Sequence, residues 1–192
     1  MEALFISTGV VALAEIGDKT QLLAFILAAR FKKPLPIIAG ILCATIINHG
    51  LAGALGAWIT TTVSPDVLRW ILGVSFIGMA IWTMIPDKIE EEETQVAKHL
   101  GVFGATFITF FLAEMGDKTQ IATIAMAAHY GSPLLVVIGT TLGMLIADVP
   151  AEFVGAHMAA KIPMKLVHGV AATLFGRLGV ATLLGAGAKL GF

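Results

Sequence analysis

Glu15, Asp18 and Lys19, followed directly by Thr20 and Gln21, stand in a stretch that is otherwise apolar. The octapeptide that holds them, Ala-Glu-Ile-Gly-Asp-Lys-Thr-Gln at 14–21, recurs at 113–120 with Met115 in place of Ile16. Glu114, Asp117, Lys118, Thr119 and Gln120 therefore repeat the set. Carboxylates, hydroxyls and amides at this spacing can coordinate a hard cation or carry protons. Each copy lies inside a long apolar segment, where a charged group is costly unless it pairs, faces a cavity or binds something. On a continuous helix residues three apart share a face, so Glu15 is expected to point with Asp18, and Glu114 with Asp117. Gly17 and Gly116 weaken the helix between them. A helix loosened at mid-membrane can also offer backbone carbonyls to an ion.

The donor types restrict the ion. Neither motif contains Cys or His, which Zn²⁺ and Cu⁺ prefer, whereas oxygen-rich sites suit Mn²⁺, Ca²⁺ and Mg²⁺. Mg²⁺ sheds its waters reluctantly, which puts Mn²⁺ and Ca²⁺ ahead. Four carboxylates crowded in a low-dielectric site cannot all stay ionised without a cation. Metal entry would expel protons and metal departure would readmit them, the behaviour of a cation/proton antiporter. Lys19 and Lys118 either neutralise neighbouring carboxylates or act as resident counter-charges that change partners when metal binds. The alternative for the whole set is a static ion-pair network holding helices together; a duplicated Glu, Asp and polar pair is more than such a network needs.

The elements that must position these groups follow from composition. The chain has 192 residues, 57% hydrophobic and 13% charged, against roughly 25% charged in ordinary soluble domains. Its mean hydropathy is +0.91, so the solvent for most of it is membrane lipid. The predicted fold is all-α, with six membrane spans near 4–29, 35–60, 67–85, 100–128, 134–160 and 166–184, each about long enough to cross hydrocarbon. Net charge is -1 without a basic run, which argues against nucleic acid as a partner. The single cysteine, Cys43, permits no internal disulfide. The start of the chain lacks the basic region of a signal peptide.

The octapeptides belong to a longer match. At an offset of 99 residues Pro34 aligns with Pro133, Gly40 with Gly139, Gly56 with Gly155 and Phe76 with Phe175. The chain reads as a three-helix unit at 1–86, an acidic linker at 87–99 and a second unit at 100–192. An odd number of crossings places the second unit in the membrane upside down relative to the first, the inverted repeat of many secondary transporters. Inversion would bring the two motifs together near the midplane as a cage of four carboxylates. With both termini outside, the inner loops hold Arg30, Lys32, Lys33, Lys88, Lys98, Lys161 and Lys165, while the outer side keeps Arg69 and Lys189; the positive-inside rule favours that orientation. Small residues at Gly40, Gly50, Gly53, Gly56, Gly139, Gly143, Gly176 and Gly179 allow close helix approach, and association into a homo-oligomer stays open.

A second polar set is less regular. Asp148 and Glu152, four apart, share a face of the fifth span. Their repeat counterparts are His49 and Gly53, with Asn48 beside His49, so this set fits a proton route or gate better than a shared metal shell. His129, His157 and His168 fall near span ends and read as interfacial. Arg177 lies within the sixth span, and no residue is marked by the sequence as its partner. Phe107, Phe110, Phe111 and the methionines at 79, 115, 126 and 144 read as packing or lipid-facing residues.

Two copies of Glu-x-Gly-Asp-Lys-Thr, at Glu15–Thr20 and Glu114–Thr119, in six spans split by an acidic loop, resemble the cation-transporter family that includes bacterial manganese exporters and Golgi manganese/calcium transporters. The resemblance covers nearly the whole chain. It implies Mn²⁺ or Ca²⁺ transport, in exchange for protons, with Glu15, Asp18, Glu114 and Asp117 handling metal and no resident cofactor. The short chain suggests the bacterial branch, exporting Mn²⁺ across the inner membrane. Among rivals, a six-span amino-acid exporter would need fewer carboxylates. An intramembrane phosphatase would need a nucleophile and a basic clamp that neither motif contains, so an enzyme is not expected. A passive cation channel could also be lined by such acids.

Overall fold

The computed structural model describes residues 1–85, 100–154 and 164–185. The acidic linker, Gly155, His157, Lys161 and Lys189 lie outside the described residues. Among the described residues eight helices follow one another: α1 (Glu2–Glu15), α2 (Lys19–Phe31), α3 (Pro34–Thr62), α4 (Pro65–Thr83), α5 (Val102–Glu114), α6 (Lys118–Tyr130), α7 (Pro133–Val154) and α8 (Met164–Leu183). No strand occurs among the described residues. Four of the described helices, α3, α4, α7 and α8, are long and apolar enough to cross a membrane alone.

The first and fourth predicted spans differ from expectation. Each is two short helices, α1 with α2 and α5 with α6, and the interruption falls inside each octapeptide. Gly17 and Gly116 adopt φ of +85° and +78°, left-handed values that an α-helix cannot contain and that a side chain disfavours. The shared-face expectation for Glu15 and Asp18 is thereby corrected: it requires a continuous helix, but Glu15 ends α1 while Asp18 caps α2. Glu114 and Asp117 are separated in the same way. Helix starts at Pro34, Pro65 and Pro133 use a residue whose missing N–H would be orphaned in a first turn anyway.

α1 lies against α7, and α5 lies against α3; these are the same pair after exchange of the two units. α3 also packs on α6 and α7 on α2, while α3 meets α7 and α4 meets α8. Val10, Val11, Phe76, Met126 and Phe175 build one apolar core, and Leu23, Ile37, Ile41 and Phe110 a second. Small residues let backbones touch where the long helices cross the broken ones. Gly139 abuts the Leu4 carbonyl and Ser7, Gly143 the Thr8 carbonyl, and Gly56 the Ile124 carbonyl. Gly50 and Gly176, expected to serve the same purpose, face open space. Large apolar side chains such as Leu51, Trp58, Val74, Ile81, Ile146 and Val180 point outward, a surface suited to hydrocarbon and not to water.

The crossing of α1 and α7 has no room for a side chain at Gly139. Gly139→Val is expected to lower stability by about 1–3 kcal/mol through overpacking, read as a lower midpoint of thermal unfolding in detergent. Gly176→Ala should leave the midpoint near that of the parent. Equal effects at the two positions would contradict the packing described.

Candidate cation site

The two breaks are built alike. Within each, the Asp N–H turns back to the Glu carbonyl: Asp18 to Glu15 at 2.9 Å and Asp117 to Glu114 at 3.2 Å. The Gln at the end of the motif reaches back across the break, as a capping-box residue does. Gln21 Oε1 accepts the Gly17 N–H at 2.9 Å, and Gln120 Oε1 accepts the Gly116 N–H at 2.8 Å. Asp18 Oδ1 accepts the Lys19 N–H at 2.7 Å. A break in a helix frees donors that lipid cannot satisfy, and these side chains take up part of that role.

The same glutamines tie each break to the opposite unit. Gln21 Nε2 donates to the Ala147 carbonyl at 2.8 Å, and Gln120 Nε2 to Asn48 Oδ1 at 3.4 Å. Asn48 and Ala147 are repeat counterparts. Asn48 Nδ2 in turn donates to the Phe111 carbonyl at 3.1 Å. Both breaks thus rest on the middle of a long helix from the other half, α7 for the first and α3 for the second.

The charged groups are deeply enclosed. Glu15, Asp18, Glu114, Asp117, Lys118 and Asp148 are buried, along with Thr20, Thr119, Asn48 and His49. Lys118 Nζ lies 3.0 Å from Asp18 Oδ2, a buried ion pair that crosses from one motif to the other. Glu15 is within electrostatic reach of Glu114, Asp18, Asp148 and Asp117. Glu114 is reached by Asp117, Lys19 and Lys118, and Asp148 by Glu114 and Glu152. The two halves are not identical here. Thr119 Oγ1 donates to Glu114 Oε2 at 2.6 Å, but both Glu15 oxygens and the Thr20 hydroxyl are buried without a hydrogen-bond partner. Both oxygens of Asp148 and of Glu152, and both ring nitrogens of His49, share that condition.

The acids do not close into a tight cage in this arrangement. Among the described residues no three His, Cys, Asp or Glu side chains converge closely enough to hold a metal ion. The Lys118 ammonium sits against Asp18. Chemically, the site offers oxygen donors from both breaks, a lysine ammonium paired across them, and the unbonded carboxylates of Glu15 and Asp148 beside it.

Three other residues acquire positions that the sequence did not indicate. His168, expected at the interface, places Nε2 3.0 Å from the Ile16 carbonyl at the first break. Nothing in local spacing could connect residue 168 to residue 16. His129 instead packs edge-on against Phe76 and Tyr130. Arg177 lines an apolar groove with Phe5, Ile6, Gly9 and Leu174, away from both motifs.

A buried cross-motif ion pair on broken helices, enclosed in a bundle with an apolar outer surface, is the architecture of an integral membrane protein. Residues 3–91 and 102–189 match the family described as "Divalent cation/proton antiporter GDT1", and the chain belongs to that family. It is 52% identical over 183 residues to a Vibrio cholerae serotype O1 protein named "Putative manganese exporter", covering 95% of this chain and 90% of that one. It is 30% identical over 200 residues to GDT1-like protein 3 of Oryza sativa subsp. indica, covering 91% and 71%. It is 28% identical over 209 residues to GDT1-like protein 5 of Arabidopsis thaliana, covering 90% and 91%. No solved structure matches the chain.

Removing one member of a buried ion pair leaves an uncompensated charge, whereas removing both charges does not. Lys118→Met is expected to cost about 3–5 kcal/mol, measured by chemical unfolding in detergent. Adding Asp18→Asn should restore most of the loss. A Lys118→Met protein as stable as its parent would show that the cross-motif pair is not coupled to the fold.

Proposed function

We propose that the chain is a secondary active transporter that exports a divalent cation, Mn²⁺ as first choice, from the cytoplasm in exchange for protons. The observation that carries this reading is the pairing of Lys118 with Asp18 across the two breaks. It joins carboxylates of both motifs in one electrostatic unit, with a resident cation held where an incoming one would bind. Glu15, Asp18, Glu114 and Asp117 are the metal-handling residues of the proposal. Lys19 and Lys118 are exchangeable counter-charges, and Thr20, Gln21, Thr119, Gln120 and Asn48 shape the breaks. The oxygen-only donor set favours Mn²⁺ or Ca²⁺ over softer metals, and the name of the Vibrio cholerae relative favours Mn²⁺. The cation is cargo, and no resident cofactor is invoked.

Exchange follows from charge balance in a buried site. For a divalent ion to settle among the four acids, Lys118 must leave Asp18, and protons held by neighbouring carboxylates must depart. When the ion leaves, lysine and protons return. Asp148, buried in α7 beside Pro150 and reached by both Glu114 and Glu152, is the proposed relay for those protons. Six crossings as two inverted units, split at 87–99, fit the exchangeable packing of α1 on α7 and α5 on α3. Arg30, Lys32, Lys33 and Lys165 then face the cytoplasm, and both termini lie outside a bacterial inner membrane. Ca²⁺/H⁺ antiport is the second reading, since the same oxygen donors serve Ca²⁺.

Proteoliposomes with an imposed pH gradient test the proposal. Mn²⁺ flux should follow the gradient and reverse with it, and Glu15→Gln or Asp117→Asn should reduce it by at least about tenfold, the loss expected when a group binding the ion directly is removed. Flux indifferent to the gradient would identify a channel or uniporter. Stronger flux of Ca²⁺ than of Mn²⁺ would select the second reading.

A further inference from the structure

The contacts over the two breaks are not equivalent. The carbonyl of Ile16, in the turn after α1, is bonded by His168 Nε2 at 3.0 Å; toward a carbonyl that nitrogen must carry the proton. Under the 99-residue offset the counterpart of Ile16 is Met115 and the counterpart of His168 is Arg69. Each of these partners sits four residues after the first residue of its helix, Arg69 after Pro65 in α4 and His168 after Met164 in α8. Yet Arg69 does not reach the second break. Met115 is 54% exposed, and Arg69 Nε is buried with no hydrogen-bond partner. The guanidinium lies near the far end of α8, where a β-carbon on Gly185 would stand 3.7 Å from Nη1.

Helix packing shows the same difference. α8 packs along α1, but no comparable contact joins α4 to α5. α4 packs instead on α6, with no comparable contact of α8 on α2. The first break is therefore covered by the helix that carries His168, and the second is uncovered on the face where Arg69 would approach. In an inverted repeat, exchanging the conformations of the two units generates a second arrangement of similar energy that opens to the opposite side.

We infer that His168 and Arg69 are alternately engaged bolts of a gate: His168 closes on the Ile16 carbonyl in the arrangement described, and Arg69 closes on the Met115 carbonyl in the exchanged one. The inference rests on the inverted-repeat reading of transport and adds to it the residues that hold each end state. Both side chains supply N–H donors, the guanidinium on the longer stem, so an imidazole on one side and a guanidinium on the other can each close on a carbonyl. A buried Arg69 Nε without an acceptor raises the energy of the present arrangement, and closing on Met115 would relieve it. Withdrawal of either bolt also frees a carbonyl that lies between the Glu and the Asp of one motif, where it can turn toward a cation. Both are positioning residues: they hold the break, and neither is assigned to the ion itself.

Site-directed labelling tests the pair. In a Cys43→Ser background, single reporters Ile16→Cys or Met115→Cys occupy the motif position that already varies between the two copies. Reaction of purified protein in nanodiscs with a polar maleimide reports exposure of each break. His168→Leu is expected to speed labelling of Ile16→Cys and slow that of Met115→Cys by about three- to tenfold, the shift that loss of one hydrogen bond brings to a two-state equilibrium. Arg69→Leu should move both reporters the opposite way, and His168→Gln, which keeps an N–H donor, should stay near the parent. If His168→Leu does not fold, His168→Asn, whose shorter amide falls short of the carbonyl, carries the same expectation. Both bolts shifting the reporters in one direction, or Arg69→Leu shifting neither, would overturn the inference. Labelling requires neither metal nor gradient, so its outcome is separate from whether Mn²⁺ is the cargo.

Discussion

Charge buried away from water must be matched by opposite charge or by hydrogen bonds, and the architecture around the two motifs answers that constraint. The Lys118–Asp18 pair spans the two halves at 3.0 Å, so neither motif is electrostatically complete alone. That dependence requires the two breaks to meet. It also explains why Gly139 and Gly143 let α7 press against α1, and why the long helices α3 and α7 carry polar groups at their centres. A buried pair of this kind is weak evidence for stability in itself, since apolar replacements are often as stable.

The backbone faces a parallel constraint. Interrupting a helix in a bilayer strands amide groups that only the protein can satisfy. Gln21 and Gln120 solve this by accepting from Gly17 and Gly116 while anchoring to α7 and α3. One side chain thereby fixes the shape of a break and its docking on the opposite half. What is left unbonded is concentrated at the acids: Glu15, Asp148 and Glu152 have oxygens with no hydrogen-bond partner. Buried polar groups are usually paired, so these acids stand out from the rest of the interior, and the function proposed above assigns ion and proton exchange to them.

Much of this was legible in the residues before any coordinates. The doubled octapeptide stands out because charge in an apolar run is costly, and its fixed offset exposes the repeat. Pro34, Pro65 and Pro133 mark helix starts through one local rule. The break itself was only half legible. Gly17 and Gly116 signalled a weak point, but the shared-face rule assumes an unbroken helix, and positive φ at these glycines separates Glu15 from Asp18. The partners of the breaks were not legible at all. Gln21 meets a backbone carbonyl 126 positions away, and His168 meets one 152 positions away; contacts with carbonyls leave no trace in residue type. Asp148 was legible as an intramembrane acid, whereas Gly50 and Gly176 looked like packing residues and face open space, because a small residue marks permission for contact and not contact itself.

In the function proposed above, carboxylates from the two breaks form one site in which metal and protons compete. Calorimetric titration of Mn²⁺ into the purified protein, repeated in buffers of different ionisation enthalpy, measures that competition directly. The expected result is saturable binding with net proton release, abolished when Glu15→Gln and Glu114→Gln are combined. Binding without proton release, or binding that survives the double substitution, would contradict it.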